Sequence, residues 1–209
     1  MYSLDSHKEM ADAVKRLAYI AEYREAGNRS HLERIRGYTM LLGRGMGLSQ
    51  NEMQIISTAC QLHDIGKIGL PESLLQQQGK YSDADMIKIQ RHTNIGADLL
   101  SNSPSPLLQA GETIALSHHE RWDGSGYPNG LKGEEIPLSA RLCAVADVFD
   151  ALTTPRSYKK EISVEDAWRL ISGASGLLFD PQIVQVFIDE FAGIIKIRNS
   201  AIKTGNLMG

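Results

Sequence analysis

The sequence of 209 residues has little cysteine, no surplus of positive charge and no long apolar run. It holds two cysteines and carries a formal net charge of −3. This balance argues against a general nucleic-acid binder, because contact with a phosphate backbone needs clustered lysine and arginine. No apolar stretch approaches the roughly 18 residues that a membrane-spanning helix needs, and the first residues lack the pattern of a secretion signal. We therefore expect a cytoplasmic protein with no membrane insertion and no DNA or RNA partner.

The two cysteines, Cys60 and Cys143, lie in apolar stretches far apart in the sequence. This placement is typical of buried thiols in a reducing compartment and does not indicate a disulfide framework. The length is sufficient for one domain with a substantial core.

Helical spacing dominates the hydrophobic pattern, and no run alternates strictly enough to predict a strand. We therefore predict an all-α fold, a single bundle of about seven to eight helices. Residues 1–24 are expected to form a lead-in helix, 25–198 the main domain and 199–209 a disordered tail. The lead-in helix is predicted to bury a stripe that consists of Met10, Val14, Leu17 and Ala21.

Several helix starts are marked by residues that cap the free N–H groups of a first turn. Ser49 with Glu52 forms a capping-box pattern, and Ser82, Ser163 and Asp180 are expected to act in the same way. The segment 120–137 is rich in glycine and proline, which predicts a long loop of the kind that often carries function.

Five of the six histidines stand on predicted helices or at their ends, beside apolar residues. A single inward-facing histidine is more often a hydrogen-bonded core residue than a metal ligand, but five in one domain favour a metal centre. These histidines are His31, His63, His92, His118 and His119.

The adjacent pair His63-Asp64 begins the run that ends at Lys67. Neighbouring side chains on a helix point about 100° apart, so both reach one site only at a helix end or if the aspartate bridges two ions. A bridging carboxylate holds two cations the ~3.5–4 Å apart that two-metal phosphoryl chemistry uses. The alternative is a histidine favoured by the helix dipole, followed by an ordinary turn.

A second pair, His118-His119, leads into the loop that contains Tyr127. Burying both imidazoles unpaired would leave polar nitrogens unsatisfied, a problem that metal ligation removes. Asp147 and Asp150 share one helix face at i, i+3, where they repel unless a cation or a basic group compensates. The alternative for Asp150 is a solvated side chain.

Together these motifs resemble, in order and spacing, the HD-GYP family, a branch of the HD phosphohydrolase superfamily. The similarity covers roughly residues 31–187. It implies an HD-type helical bundle with a glycine-rich GYP loop, a centre of two or three metals, usually iron or manganese, and phosphodiesterase activity on cyclic di-GMP. The metal ligands that the resemblance implies are His31, His63, Asp64, His92, His118, His119 and Asp147.

The resemblance also implies roles for the remaining site residues. Asp64, as the bridge, and Lys67, which would contact the scissile phosphate, are the expected catalytic residues. The other expected contacts with the dinucleotide are Tyr127, Asp150, Arg156 and Lys159.

One position departs from the family pattern. Members with a third metal carry a glutamate four residues before the first histidine, where this chain has Gly27, and Glu25 lies six residues before it. We therefore expect two divalent ions, iron or manganese, and hydrolysis of cyclic di-GMP to pGpG by metal-activated hydroxide, with cleavage onward to GMP less well supported.

Three alternatives remain open from the sequence. In the first, the substrate is another cyclic dinucleotide such as cyclic GMP-AMP. In the second, the chain is a receptor or interaction module that has no turnover and docks a partner, for example a diguanylate cyclase. The third concerns the N-terminal helix. This helix either pairs two protomers or relays a signal from an upstream sensor, or else it packs on its own domain.

Overall fold

The computed structural model describes residues 4–23, 29–77, 79–155 and 161–205, and within these ranges it is helical with no strand. This confirms the predicted all-α class. The described helices are α1 Leu4–Tyr23, α2 Arg29–Gly45, α3 Gln50–Ala59, α4 Glu72–Leu75, α5 Asp83–Gln90, α6 His92–Leu100, α7 Pro106–Ser117, α8 Leu138–Thr153, α9 Val164–Gly173, α10 Pro181–Asp189 and α11 Phe191–Gly205. Short 3-10 helices cover Cys60–Leu62, Ile65–Gly69 and Gly133–Glu135.

The described residues contain more helices than the seven or eight expected, because two predicted helices are divided and one short turn was not foreseen. Arg91 separates α5 from α6, where the sequence pattern predicts one continuous helix. Glu190 separates α10 from α11, and α4 is a single turn after Pro71. Helix α11 continues to Gly205, into the segment that we expected to be a tail.

Each of the four predicted caps is present. The Ser49 hydroxyl accepts the Glu52 N–H at 3.3 Å, and the Glu52 carboxylate accepts the Ser49 N–H at 2.9 Å. Ser82, Ser163 and Asp180 each accept a backbone N–H from the first turn of α5, α9 and α10. A cap of this kind stabilises a helix by about 1 kcal/mol, so these starts are local in origin.

The main core joins the helices that carry the central part of the site. Tyr38 of α2 meets Phe149 of α8 edge to face, with ring centroids 5.4 Å apart, and Phe149 meets Phe187 of α10 at the same distance. All three rings are fully buried. Aromatic contacts of this geometry add about 0.5–1.5 kcal/mol each beyond area burial, so α2 and α8 are held side by side.

Helix α1 packs on its own domain through Val14, Ala18 and Ala21, each at most 3% exposed. The predicted stripe was therefore only partly right: Val14 and Ala21 are buried, whereas Met10 is 39% and Leu17 48% exposed. The buried face follows the i, i+4, i+7 series from Val14, which turns Leu17 towards the edge of the contact.

Cys60 and Cys143 are both buried and unbridged, as predicted. Among the described helices, none combines the length and apolarity that crossing a bilayer requires.

Candidate metal centre

The backbone at the end of α3 explains how adjacent residues reach one site. After α3 the chain tightens into the 3-10 helix Cys60–Leu62, and His63 keeps helical angles (φ −52°, ψ −38°). Asp64 leaves the helix at φ −102°, ψ 11°. The two side chains are thus no longer separated by the helical rotation, and the sequence interpretation that placed the pair at a helix end is the one that the structure adopts.

Gly66 allows this segment to lie against α6. A Cβ atom at Gly66 would come within 1.9 Å of the His92 carbonyl oxygen and 2.5 Å of the Gly96 nitrogen. Only glycine permits this approach, which places Asp64 beside His92 in the first turn of α6.

All seven predicted ligands are brought together, in two groups. In each group the candidate ligand atoms lie within 4.8 Å of one another. The first group, which we call group A, consists of Asp64, His92, His118 and His119. The second, group B, consists of His31, His63 and Asp147.

Asp64 stands between the two groups. Its Oδ1 lies 3.3 Å from His92 Nε2 and 3.8 Å from His118 Nε2, both in group A. Its Oδ2 lies 3.1 Å from His63 Nε2 in group B. One oxygen therefore faces each group, which is the arrangement that a bridging carboxylate needs.

Three ligand histidines have the same orientation. The Nδ1 atoms of His63, His92 and His118 lie 2.9, 2.7 and 3.0 Å from backbone carbonyl oxygens of the preceding turn. A carbonyl only accepts, so Nδ1 carries the hydrogen and donates it. In the neutral form of each ring, Nε2 therefore carries the lone pair and faces the interior of the site, as ligation by this nitrogen requires.

The electrostatics of the cluster separate His63 from the group A histidines. Burial lowers the pKa of His118 to about 3, with His63 adding to the effect, and burial also lowers the pKa of His92 and, further, that of His119. Burial alone would lower the pKa of His63, but the Asp64 carboxylate outweighs it and raises the pKa to about 10. For Asp64, burial is outweighed by Lys67 and His63, which hold its pKa well below the usual range. The three histidines of group A are therefore neutral near pH 7, the state in which imidazole binds metal, and the Asp64 carboxylate is ionised.

Two buried polar atoms of the candidate ligands have no hydrogen-bond partner among the described residues. His63 Nε2 and Asp64 Oδ1 are buried without a hydrogen-bond partner. Leaving such a group unsatisfied costs about 1–3 kcal/mol, and a divalent cation would satisfy both. The donor set of imidazoles and carboxylates without thiolate suits iron, manganese or zinc. The residues therefore fit a divalent-metal centre.

Asp150 lies behind His31, away from the centre of the two groups. Its side chain is 1% exposed, and its Oδ2 is 2.7 Å from His31 Nδ1. Arg34 contacts both oxygens, at 2.5 and 2.8 Å. Burial would raise the pKa of Asp150, but Arg34 and then His31 lower it to about 2. With both oxygens engaged inside the protein, this placement departs from the substrate contact that the resemblance implied.

Arg34, which is 2% exposed and three residues from His31 on α2, was not among the predicted site residues. That i, i+3 spacing puts both side chains on one helix face and was the signal available.

Lys67 and Tyr127 each lie next to a candidate ligand of group A. Lys67 Nζ is 2.8 Å from Asp64 Oδ2. The Tyr127 ring stacks on His119, with centroids 4.7 Å apart and planes inclined by 28°. Both predicted residues are thus adjacent to candidate ligands.

Three predicted positions, Gly27, Arg156 and Lys159, fall outside the described residues. A carboxylate nearby was not foreseen: the half-buried Glu22 of α1 interacts electrostatically with His31 and Asp64. Burial raises the pKa of Glu22, and His31 partly offsets the rise. Its signal in the sequence was weak, since Glu22 lies nine residues before His31 and on a different predicted helix.

The glycine-rich loop is fixed by Glu120, which sequence analysis also overlooked. Glu120 is 4% exposed, and its two oxygens accept the N–H groups of Asn129 at 2.7 Å and Leu131 at 3.1 Å. The Trp122 N–H donates to the Leu178 carbonyl at 3.2 Å. The Glu120 bonds close the loop on itself, and the Trp122 bond ties it to the segment between α9 and α10. The Tyr127 N–H donates to the His119 carbonyl at 3.3 Å, which keeps the two residues together.

Comparison with known proteins agrees with this geometry. The sequence profile of the HD domain family matches residues 15–183. The chain is 46% identical over 177 residues to the cyclic di-GMP phosphodiesterase response regulator RpfG of Xanthomonas campestris pv. campestris, covering 85% of this chain and 47% of that protein. It is 36% identical over 197 residues to the 3'3'-cGAMP-specific phosphodiesterase 2 of Vibrio cholerae, covering 94% of this chain and 38% of that protein.

A solved structure described as an HDG"Y"P protein from Bdellovibrio bacteriovorus has the same fold, with a TM-score of 0.64 at 19% identity, covering 91% of this chain and 65% of that one. The chain spans about half the length of the curated relatives that it matches, or less. The matched profile defines the HD class of proteins, and both candidate ligand groups lie within the matched residues. The chain belongs to the HD domain family, in its HD-GYP branch.

Proposed function

We propose that this chain is a metal-dependent phosphodiesterase that hydrolyses cyclic di-GMP to pGpG. The observation that carries the proposal is the position of Asp64, whose two oxygens face group A and group B at 3.3 and 3.1 Å. When bound there, a pair of divalent cations supplies water activation and charge neutralisation at a phosphoryl group.

The side chains around the centre have distinct roles in this proposal. Asp64 would hold the two halves of the site in register, and the other six ligands would hold the ions that supply this chemistry. The Lys67 ammonium, 2.8 Å from Asp64 Oδ2, stabilises negative charge that develops on the phosphoryl oxygens. Tyr127 forms a wall on which a base or sugar packs, and Arg156 and Lys159 bind the dinucleotide through its phosphates.

Similarity favours cyclic di-GMP as the substrate. The Xanthomonas campestris relative is named for this dinucleotide and is 46% identical, whereas the Vibrio cholerae relative named for 3'3'-cGAMP is 36% identical. The 36% match, which covers 94% of this chain, makes cyclic GMP-AMP the second candidate.

The direct test loads the protein anaerobically with Fe²⁺ or Mn²⁺, supplies cyclic di-GMP and 3'3'-cGAMP in separate and competing reactions, and separates the products by chromatography. We expect pGpG as the main product and faster turnover of cyclic di-GMP. Preference for 3'3'-cGAMP would support the second candidate.

Asp64→Ala removes the bridge, so we expect turnover to fall below detection. Asp98→Ala serves as the matched control, since Asp98 is exposed on α6 and outside both ligand groups. Tight nucleotide binding with no turnover, unchanged by Asp64→Ala, would contradict the proposal and indicate a receptor or interaction module.

We propose that the centre holds two ions, of iron or manganese. The division of the ligands into groups A and B supports two positions, and Gly27 offers no side-chain ligand for a third. Elemental analysis together with anomalous scattering from crystals measures both the element and the number of ions. A third ion near Glu22 would contradict the expected number.

We further propose that α1 pairs two protomers. Leu17 and Ile20, 48% and 55% exposed, form an apolar edge beside the face that α1 buries on its own domain. Analytical ultracentrifugation of wild type and Leu17→Glu tests this, with Leu99→Glu, 56% exposed on α6, as the control. A wild-type monomer would contradict the pairing.

An upstream sensor is the regulatory partner that we propose. The chain covers 47% of a relative that is named a response regulator, which supports an additional module in the whole protein. Measuring turnover of the full-length protein with and without its input domain tests this, and equal rates would contradict it.

A further inference from the structure

The histidines of the centre differ in the group that accepts the hydrogen bond from their Nδ1 atom. His63, His92 and His118 donate Nδ1–H to neutral backbone carbonyls. His31 is different among these described ligands, because its Nδ1 lies 2.7 Å from the Asp150 carboxylate. An ionised carboxylate oxygen only accepts hydrogen bonds, so His31 Nδ1 carries the hydrogen and donates it. The other ring nitrogen, Nε2, faces Asp147, whose Oδ1 is 3.9 Å away.

Asp150 is itself fixed. Arg34 Nε donates to Oδ1 at 2.5 Å and Arg34 Nη2 donates to Oδ2 at 2.8 Å, a two-pronged contact that locks the carboxylate plane. Arg34 Nη2 also donates to Thr154 Oγ1 at 3.1 Å. The side chains of His31, Arg34 and Asp150 are at most 5% exposed, so solvent does not screen this chain of contacts.

We propose that Arg34 and Asp150 are positioning residues for group B, acting through His31. Asp150 fixes the tautomer and the ring orientation of His31, and Arg34 holds Asp150 in place. The proposal rests on the metal centre proposed above but is independent of which phosphodiester the centre cleaves.

The arrangement has a selective consequence. A carboxylate behind a ligand imidazole makes its other nitrogen a stronger donor, and loss of such a partner costs about 10- to 100-fold in metal affinity. In group A, by contrast, His92 and His118 have neutral backbone carbonyls behind them in place of a carboxylate. We therefore expect removal of the Asp150 charge to weaken one of the two metal positions and leave the other unchanged.

The test is a titration of metal-free protein with Mn²⁺ in the absence of nucleotide, with free Mn²⁺ followed by electron paramagnetic resonance. Wild type is expected to bind two ions. In Asp150→Asn, one ion binds as in wild type and the second binds about 10- to 100-fold more weakly.

Asp180→Asn is the matched control. Asp180 has a side chain that is 1% exposed and pairs with an arginine, Arg141, but it caps α10 and belongs to neither ligand group. We expect two Mn²⁺ ions in this variant with unchanged affinities. Equal weakening in both variants would overturn the proposal, because it would indicate a general effect of losing a buried charge.

Arg34→Lys keeps the positive charge but loses the two-pronged contact. We expect a smaller loss than in Asp150→Asn, confined to the same ion. If circular dichroism shows that Asp150→Asn does not fold, Arg34→Lys decides the question: wild-type Mn²⁺ affinity at both positions would overturn the proposal. Wild type that binds two ions without cleaving a cyclic dinucleotide would overturn the proposed function and leave this inference standing.

Discussion

Gly66 lies where the segment carrying His63 and Asp64 contacts the first turn of α6. The Cβ atom of an alanine there would be 1.9 Å from the His92 carbonyl oxygen, and real Cβ contacts stay beyond 3.0 Å. Both partners of the clash are backbone, so no side chain can rotate to relieve it. Gly66→Ala therefore has to separate the two segments by at least about 1 Å, whereas metal–ligand distances tolerate changes of only about 0.2 Å.

The separation has two costs. Overpacking a tight contact destabilises a protein by about 1–3 kcal/mol, and the short distance puts Gly66→Ala at the upper end. For a domain of this size, about 3 kcal/mol lowers Tm by roughly 6–12 °C. The separation also moves Asp64 Oδ1 away from His92 Nε2, now 3.3 Å apart, so group A loses its geometry.

Thermal unfolding followed by circular dichroism measures the first effect, and Mn²⁺ titration of the folded variant measures the second. Gly173→Ala is the control, because a Cβ there meets no atom within 4 Å and the residue ends α9 without a positive φ. We expect that variant to keep both ions and to gain up to about 1 kcal/mol from reduced freedom of the unfolded chain. Wild-type Tm and two wild-type Mn²⁺ affinities in Gly66→Ala would refute the role given to this contact.

Three further outcomes follow from the site. Lys67→Met is expected to lower kcat about 10²- to 10³-fold while the protein keeps its metals, because Lys67 gives charge but no ligand atom; unchanged kcat would contradict this. Glu120→Gln replaces one of the two accepting oxygens by an NH2 group, which cannot accept from the backbone N–H that faces it, so hydrogen exchange across 129–131 is expected to accelerate, and wild-type protection there would argue against the anchor. Tyr127→Phe preserves the stack on His119 and is expected to keep metal affinity and KM near wild type, whereas Tyr127→Ala raises KM; equal effects in steady-state kinetics would show that the ring surface is unimportant.

Local signals predicted the helical class and the helix starts well. Ser49 and Asp180 are examples, since a cap acts within its own first turn and needs no distant partner. The division at Arg91 was not predictable in the same way. It depends on packing of α6 against the Gly66 segment, which lies far away in the sequence.

The sequence by itself determined which side chains are available for the chemistry. The pairs His63-Asp64 and His118-His119 lie at helix ends, where the backbone lets neighbouring side chains reach one site, and the sequence spacing indicates this. Only the tertiary structure decided how those side chains are shared between two groups, and that Asp150 supports His31 from behind. The physical reason is that Arg34 and Asp150 lie 116 residues apart and meet where α2 packs on α8, so their pairing is set by the common core.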